Sequence, residues 1–442
     1  MNETDAHYLK LALRLAARGA GWVSPNPMVG AVVVKDGRIV GRGYHRRVGA
    51  PHAEVEALRQ AGAAAKDGDL YVTLEPCNHQ GRTPPCTQAV LAAGVRRVII
   101  AVRDPNPRVT GDGAAFLASR GLEIETGLLE SEARRLNEAF FKAVTTGLPF
   151  VIAKAACSLD GRIATATGES QWLTGPAARA FGHKLRHQAD AILVGVGTVL
   201  ADDPQLTARL GAGGKREFGR GGQGPQAHLQ SSPDPPPPTP YPGGTGFQPV
   251  TAEGEPVRNV EQPPPAVLSA ESRENHQSEL TENRKPKTEN RFKDPIRIVL
   301  DTHLRIPLTA RLLHLDSPAP TWIACTERAP AEKIRAVEAT GAEVLVLPEE
   351  YGRVALQPLL ELLGERQVQS LLLEGGAEVL GAFFDQRLVD KFYFFYAPRF
   401  VGGRGAPAVL GGEGIARLED ALQAKEIKFQ RLGTDLLISG YL

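Results

Sequence analysis

Short apolar runs alternate with amphipathic stretches along most of the chain, which is the pattern of α/β architecture. Near the N-terminus, Leu9, Leu13 and Ala16 recur at helical spacing, and charged residues between them interrupt any apolar core that a signal peptide would need. Strands are predicted at the runs VRRVIIAV, GLEIETGLL, FVIAKAA, AILVGV, IRIVL, AEVLVL, SLLLEG and KFYFFYAP. No apolar run approaches the roughly 18 residues of a membrane span.

One hairpin is predicted before these strands. The stretch NPMVGAVVVKDGRIVGRGYH carries two apolar runs around Asp36-Gly37. An Asp-Gly pair between two apolar runs is a strong signal for a two-residue turn.

A domain boundary is expected where a helix-like stretch, SEARRLNEAFFKAVTTG, meets Gly147 and Pro149. The strand FVIAKAA begins directly afterwards. We therefore place a first domain at residues 1–147 and a second at residues 148–442.

The second domain is interrupted between 211 and 293. This segment holds 14 of the 34 prolines, and its later part is charged and nearly free of large apolar side chains. Such a composition cannot bury enough apolar surface to offset the entropy of ordering it. We therefore predict that this segment is disordered. Because the runs AILVGV and IRIVL on its two sides both indicate folded strands, the segment interrupts a domain rather than joining two.

The overall composition excludes few functions. With 42% hydrophobic and 23% charged residues, the chain is typical of a soluble globular protein. The formal net charge of +1 gives no electrostatic reason to expect nucleic acid or a membrane surface as partner. Four cysteines are too few for a disulfide scaffold, so a cytoplasmic location is expected.

Two of those cysteines, Cys77 and Cys86, lie in the stretch EPCNHQGRTPPC, which its prolines stiffen. A catalytic zinc site takes three nitrogen and sulfur ligands from the protein and keeps a fourth position open. Upstream, in GAPHAEVEALRQAG, His52 is expected to open a helix with Glu54 in its first turn.

The order H-x-E, then P-C and a second cysteine, is typical of zinc deaminases. In that chemistry zinc activates water, and a glutamate that is not a ligand carries protons to the ring nitrogen and the leaving amine. We predict His52, Cys77 and Cys86 as zinc ligands and Glu54 as the catalytic acid and base. The alternative is a chance HAE tripeptide with two buried cysteines, which the combined motif disfavours.

Two nearby residues are less determined. The spacing C-x8-C departs from the shorter C-x-x-C, and His79 inside the loop could compete as a ligand. We favour His79 facing the substrate. Asn26, in the turn SPNP, is a candidate substrate contact, although capping of the turn explains it equally well.

Several stretches together resemble the family of bifunctional riboflavin-biosynthesis deaminase–reductases. The resemblance covers essentially the whole chain except the insertion. It is carried by SPNPMVGAVVV, PHAEVEAL, TLEPCNHQGRTPPCTQAV, RDPNP, KAACSLDGRIATATGESQWLT, GVGTVLADDPQLTAR and LLLEGGAEVLGAFF.

The resemblance implies an α/β protein with a cytidine-deaminase-like zinc domain followed by a dihydrofolate-reductase-like domain. It implies one Zn²⁺ per chain and NADPH as cofactors, and a homodimer through the reductase domain. The implied reactions are hydrolytic deamination of 2,5-diamino-6-ribosylamino-4(3H)-pyrimidinone 5′-phosphate, followed by reduction of its ribosyl group to ribityl.

Taken alone, the second domain gives weaker signals. No complete G-x-G-x-x-G fingerprint follows a strand, and the small residues of VGVGT and EGGAEVL indicate either tight turns or phosphate contacts before a helix. The resemblance implies cofactor contacts at Ala156, Trp172, Thr198, Asp202, Thr302 and Gly376. It implies substrate contacts at Ser170, Arg186, Leu206, Arg209 and Glu374.

Some of these assignments have ordinary alternatives. Trp172 could equally belong to the core. Arg186 and Arg209 suit a phosphate because a guanidinium binds it through paired hydrogen bonds, although most arginines are only solvated charges. Lys154 and Asp160 in KAACSLDGR also resemble site residues.

The sequence also allows two other functions. One is a zinc deaminase of another base or nucleotide whose reductase domain is inactive; the intact SLDGR, GESQW and EGG stretches argue against it. The other is a zinc-stabilised binding module, in which Glu54 would have no role.

Overall fold

The computed structural model of this protein describes residues 3–80, 84–106, 112–209 and 293–442. The predicted insertion, 211–293, lies outside the described residues except for Lys293. The Nζ of Lys293 lies 3.0 Å from Oδ1 of Asp190, and the limits of the insertion stay a prediction. Within the described ranges, no helix is long and apolar enough to cross a membrane.

The first sheet of the described chain has five strands in the order β2-β1-β3-β4-β5. Strand β1 is antiparallel to β2 and β3, whereas β3, β4 and β5 are parallel. The predicted hairpin is confirmed, because Asp36 (φ 48°) and Gly37 (φ 74°) both adopt the left-handed conformation that its turn requires. The strands are β1 Gly30–Lys35, β2 Arg38–Tyr44, β3 Asp69–Val72, β4 Arg97–Ile100 and β5 Glu123–Thr126.

Helices cover both faces of this sheet. Alternate residues of β1 point to opposite sides, so Ala31 and Val33 pack in one apolar cluster while Val32 and Val34 pack in another. The helix-like stretch before the domain boundary is two helices that meet at Asn137. The helices are α1 Glu3–Ala16, α2 Ala53–Ala61, α3 Cys86–Ala93, α4 Gly113–Ser119, α5 Glu130–Leu136 and α6 Glu138–Thr146.

The second sheet of the described chain has nine strands in the order β10-β9-β8-β7-β13-β6-β14-β16-β15. It is parallel from β10 to β14, and β16 and β15 extend it as antiparallel strands. The strands are β6 Phe150–Ser158, β7 Ala191–Gly195, β8 Ile296–Leu300, β9 Thr321–Cys325, β10 Glu343–Val346, β13 Ser370–Leu373, β14 Lys391–Ala397, β15 Lys425–Leu432 and β16 Asp435–Tyr441. A separate short hairpin pairs β11 Glu349–Glu350 with β12 Arg353–Val354.

Helices connect the parallel strands, and all the predicted strands of both sheets are present. Strand β7 runs directly into a helix, and three residues join β13 to the next helix, so each glycine-containing stretch lies between a strand and a helix as predicted. The carboxyl ends of β6, β7 and β13 meet at one edge of the sheet, where ligands bind in open parallel sheets. The helices are α7 Pro176–Gln188, α8 Val196–Asp202, α9 Ala331–Glu338, α10 Leu356–Glu365 and α11 Ala377–Asp385.

Among the described residues the two sheets share no strand. The expected domain boundary falls between α6 and β6, and the exact limits of 1–147 and 148–442 stay a prediction.

Candidate active sites

Helix α2 lies unusually close to strand β2. A Cβ added to Gly41 or Gly43 would come within 2.1 Å of the carbonyl oxygens of Ala57 and Ala53, respectively. Only glycine permits this approach. The close packing fixes the start of α2, where His52 is the N-cap residue and Glu54 lies in the first turn, as predicted.

The three predicted zinc ligands come together. Nδ1 of His52 lies 3.1 Å from Sγ of Cys86 and 3.5 Å from Sγ of Cys77, and the three ligand atoms all lie within 4.8 Å of one another. Tetrahedral zinc, bonded at about 2.0–2.1 Å to nitrogen and about 2.3 Å to sulfur, separates such atoms by roughly 3.5 Å. The donor set therefore fits zinc. His79 lines the adjoining cavity and is not part of this group.

The cysteine loop is held by its own hydrogen bonds. The backbone N–H of Cys86 donates to Sγ of Cys77 at 3.4 Å, and the hydroxyl of Thr87 donates to Oδ1 of Asn78 at 2.7 Å. The hydrogen bond between the two thiol groups lowers the pKa of Cys77 to about 4 and raises the pKa of Cys86. One thiolate is thus favoured before any metal binds, and a bound metal favours the second.

Glu54 is buried beside this cluster, with 3% of its surface exposed. Burial raises its pKa to about 7, against the opposing influence of His52, and the carboxyl group contacts Cys86. A carboxyl group with a pKa near the working pH can both accept and donate a proton. Its position suits the predicted role.

Asn26 is hydrogen-bonded to His45, and both residues line this cavity. Nδ2 of Asn26 lies 3.0 Å from Nε2 of His45, and Nδ1 of His45 lies 3.2 Å from the carbonyl oxygen of Pro51. Burial lowers the pKa of His45, so the neutral ring donates from Nδ1 and accepts from Asn26 at Nε2. Asn26 lines the cavity, and its Nδ2 is the atom engaged by His45.

The cavity in front of the cluster has a volume of about 690 Å³. That size is typical of a small-molecule site. Residues of the second domain complete its wall, which the sequence did not indicate: Gly364, Gln367, Val368 and Gln369. From the first domain it is lined by, among others, Asn26, His45, His52, Glu54, Cys77 and His79.

A second cavity, of about 1130 Å³, opens at the carboxyl edge of the nine-stranded sheet. Thr302 follows β8 at this edge but does not line the cavity, so its predicted contact with the cofactor stays untested. The other residues predicted for the reductase site all line it: Ala156, Ser170, Trp172, Arg186, Thr198, Asp202, Leu206, Arg209, Glu374 and Gly376.

Glu374 is the most constrained group in this cavity. Arg186 donates to it twice, from Nε and Nη2, at 2.8 Å each, and Nζ of Lys154 lies 3.3 Å away. Burial would raise the pKa of Glu374, but the two cations hold it well below its usual range. Sequence reasoning predicted these residues as site members but did not predict that the guanidinium of Arg186 pairs with Glu374.

The glycines before the two helices have a packing reason. A Cβ on Gly195 or Gly375 would lie 2.8 or 2.7 Å from the side chain of Val379. Gly376 caps α11 at the cavity, so the first N–H groups of that helix are available to an anion there. This feature fits the phosphates of a nicotinamide cofactor.

Trp172 lies in the wall of the second cavity, whereas Asp160 lies outside it. Trp172 is 61% exposed in the cavity wall, and Cζ of Arg179 lies 4.8 Å from its ring centroid, so Trp172 is not core packing. Asp160 accepts from the N–H groups of Val401 (3.0 Å) and Gly402 (2.7 Å) and holds a turn outside the cavity.

Comparisons with known proteins match a family to each of the two domains. Residues 149–438 match the family described as the RibD C-terminal domain, and residues 2–102 match the cytidine and deoxycytidylate deaminase zinc-binding region. The riboflavin biosynthesis protein RibD of Escherichia coli (strain K12) is 37% identical over 434 residues, covering 98% of each chain. That of Bacillus amyloliquefaciens is 37% identical over 435 residues, covering 98% of this chain and 95% of the relative.

This chain belongs to the RibD family. Solved structures agree: RibD of Acinetobacter baumannii (form 1) superposes with a TM-score of 0.74 at 32% identity, covering 99% of both chains. A diaminohydroxyphosphoribosylaminopyrimidine deaminase/5-amino-6-(5-phosphoribosylamino)uracil reductase from Thermotoga maritima gives 0.72 at 29% identity, covering 99% of this chain and 98% of its own.

Membership of the RibD family confirms the α/β fold with an N-terminal deaminase domain and a C-terminal reductase domain. The chain is a bifunctional enzyme of riboflavin biosynthesis, with deaminase and reductase activities on a small-molecule substrate. A zinc site in the first domain and a nicotinamide cofactor in the second are consistent with the two families. The alternative of a deaminase with an inactive second domain is not favoured.

Proposed function

We propose that the first cavity deaminates 2,5-diamino-6-ribosylamino-4(3H)-pyrimidinone 5′-phosphate, and that the second cavity then reduces the ribosyl group of the product to ribityl with NADPH. The observation that carries the proposal is the His52, Cys77 and Cys86 cluster with buried Glu54 against it. The Thermotoga maritima relative, whose name gives both reactions, supports the choice of substrate.

In the first cavity, His52, Cys77 and Cys86 would hold one zinc ion per chain. Zinc held by three such ligands activates water for attack at neutral pH. Glu54 would accept one proton of the attacking water and pass it to the ring nitrogen, and would then accept the second proton and pass it to the departing amine. Its buried position keeps the carboxyl pKa near neutrality, which suits transfer in both directions.

Asn26 and His79 orient the substrate. Because Nδ2 of Asn26 is engaged by His45, Oδ1 is the atom that accepts a hydrogen bond from the pyrimidine. His79 lines the cavity at an exposed position and contacts the substrate nearer the opening.

In the second cavity, NADPH would supply the hydride when bound. The residues that would hold the cofactor are Ala156, Trp172, Thr198, Asp202, Thr302 and Gly376. The phosphorylated sugar is held by Ser170, Arg186, Leu206, Arg209 and Glu374. We assign the phosphate to Arg209, since the guanidinium of Arg186 is engaged by Glu374 and by the carbonyl of Thr207.

The enzyme is proposed to form a homodimer through its second domain. Strand β15 lies at the edge of the nine-stranded sheet and exposes Ile427 (48%) and Phe429 (68%). An exposed apolar edge strand favours pairing with another chain. Light scattering tests this, and a monomer mass would contradict it.

The proposed reactions are tested by incubating zinc-loaded enzyme with the diaminopyrimidinone ribotide and identifying products by mass spectrometry. Loss of the amine without NADPH, and a ribityl product only with NADPH, support both assignments. Deamination without any consumption of NADPH would support the first assignment and reject the second.

A further inference from the structure

A segment of the second domain closes one side of the deaminase cavity. This segment, residues 364–369, connects the end of α10 to β13 and contributes Gly364, Gln367, Val368 and Gln369 to the wall. It is closely packed against the first domain, because a Cβ on Gly364 would lie 1.8 Å from the carbonyl oxygen of Gly147. The wall is therefore a fixed surface.

Gln369 is hydrogen-bonded to the turn of the first domain that contains Asn26. Its Nε2 donates to the carbonyl oxygen of Pro25 at 2.7 Å, and the residue is only 9% exposed. Pro25 immediately precedes Asn26. A buried side-chain amide therefore holds the turn that presents Asn26 to the cavity.

The other end of that turn is held by the first domain itself. Oδ1 of Asn137 accepts from the N–H of Met28 at 2.7 Å, and Nδ2 of Asn137 donates to the carbonyl of Met28 at 2.9 Å. Asn26 thus lies between two anchored positions. Only the anchor at Pro25 comes from the second domain.

The base of Gln369 is itself rigid. Its N–H donates to Oδ2 of Asp190 at 3.1 Å, and its carbonyl accepts from the N–H of Phe150 at 2.8 Å. It stands directly before β13, and Glu374 of the reductase cavity stands directly after that strand. One strand of the second domain therefore carries a residue of each cavity at its two ends.

We propose that Gln369 is a positioning residue for deamination, which acts by holding the Pro25–Asn26 turn so that Oδ1 of Asn26 meets the pyrimidine. The inference rests on the proposed function of the first cavity and on the proposed substrate contact of Asn26. It adds that the second domain completes the deaminase site. Among the described residues, the hydrogen bonds of Gln369 go to Pro25, Asp190 and Phe150 and not to the zinc ligands or Glu54, so we expect it to affect substrate binding rather than proton transfer.

The test is the full-length variant Gln369→Met, which keeps side-chain length and approximate volume but removes the donor. Loss of one neutral hydrogen bond predicts a rise of about three- to ten-fold in KM for deamination. We expect kcat for deamination, zinc content and the reduction of separately supplied deaminated substrate to stay within about two-fold of wild type, because Glu54, the ligands and the second cavity are untouched. Gln369→Glu, which places a carboxylate against the Pro25 carbonyl, raises KM further.

The matched control is Gln357→Met on α10 of the same domain. Gln357 is exposed, and among the described residues its side chain hydrogen-bonds to Glu361 at 3.0 Å. We expect the Gln357→Met variant to keep the wild-type KM for deamination.

A wild-type KM in Gln369→Met would overturn the inference. So would a parallel loss of zinc, both activities and thermal stability, which would mark Gln369 as a purely structural residue. A wild-type enzyme that does not deaminate the ribotide would reject the proposed function, and the inference with it. Unaltered kinetics of Gln369→Met in an active enzyme reject the inference alone.

Discussion

Arg186 and Glu374 form a two-point ion pair in the wall of the reductase cavity, with Nε to Oε1 and Nη2 to Oε2 both at 2.8 Å. Glu374 exposes only 7% of its side chain, so its charge depends on this partner. A buried ion pair of this kind adds little to the free energy of unfolding compared with an apolar pair of similar size. Removing one partner, however, leaves the charge of the other buried and uncompensated. The pair therefore orients the cavity wall and is sensitive to single substitutions.

Arg186→Met is expected to lower the free energy of unfolding by roughly 3–5 kcal/mol, because it leaves a buried carboxylate without its main partner. The double variant Arg186→Met/Glu374→Gln should recover most of that loss. Denaturant unfolding of the reductase domain measures both. Losses that simply add in the double variant would show that the two residues are not coupled.

The pair also sets a pH dependence. The folded-state pKa of Glu374 lies below its ordinary value of 4.5. A carboxyl with a depressed pKa contributes stability that is fully present above the unfolded pKa and is lost as the pH falls through the folded pKa. The stability difference between wild type and Glu374→Gln should be constant from about pH 6 to 8 and shrink below about pH 4.5. Thermal unfolding across this range tests it, and a difference that grows in acid would contradict the assignment.

Glu54→Gln separates the proton carrier from the metal ligands. We expect deamination to fall by about 10²- to 10⁴-fold, the usual contribution of a general acid and base. Zinc content measured by metal analysis should stay near one per chain, because the amide replaces a residue outside the ligand set. Cys86→Ala serves as the control that loses zinc. Loss of zinc from Glu54→Gln would mean that Glu54 is itself a ligand.

The described ends of the long insertion lie close together. The N–H of Ala208 donates to Oδ1 of Asp294 at 2.9 Å, and the flanking Arg209 and Lys293 both donate backbone N–H groups to histidines of α7. Replacing residues 211–292 by a short Gly/Ser linker should therefore preserve reductase activity within about two-fold. The free energy of unfolding should not fall, since each halving of a loop saves about 0.6 kcal/mol of closure entropy. Collapse of reductase activity would show that the insertion takes part in the site.

The zinc site could be predicted from sequence because its residues are set by local structure. His52 is the N-cap residue of α2, Glu54 follows in its first turn, and Cys86 is the first residue of α3, close after Cys77 in the sequence. Their types and spacing express the chemistry directly. The apolar runs likewise predicted the strands, because each central strand is buried on both faces.

The contacts that long side chains make with residues distant in the sequence could not be predicted from local patterns. The predicted substrate contact of Arg186 stays a prediction; what the sequence did not indicate is the pairing of its guanidinium with Glu374, which lies 188 residues further along the chain. Gln369 reaches Pro25 across a separation of 344 residues. Such contacts depend on how the elements pack, and nothing in the local pattern around Gln369 distinguishes it from other polar residues near a strand.

The central claim, that one chain carries two sites that act in order, is tested most directly with the Glu54→Gln enzyme and NADPH. The account predicts that this variant consumes NADPH with the deaminated pyrimidine ribotide and none with the diamino ribotide, whereas the wild type consumes NADPH with both. Equal consumption of NADPH by the variant with either ribotide would contradict the order, and no consumption with the deaminated ribotide would contradict a second, independent site.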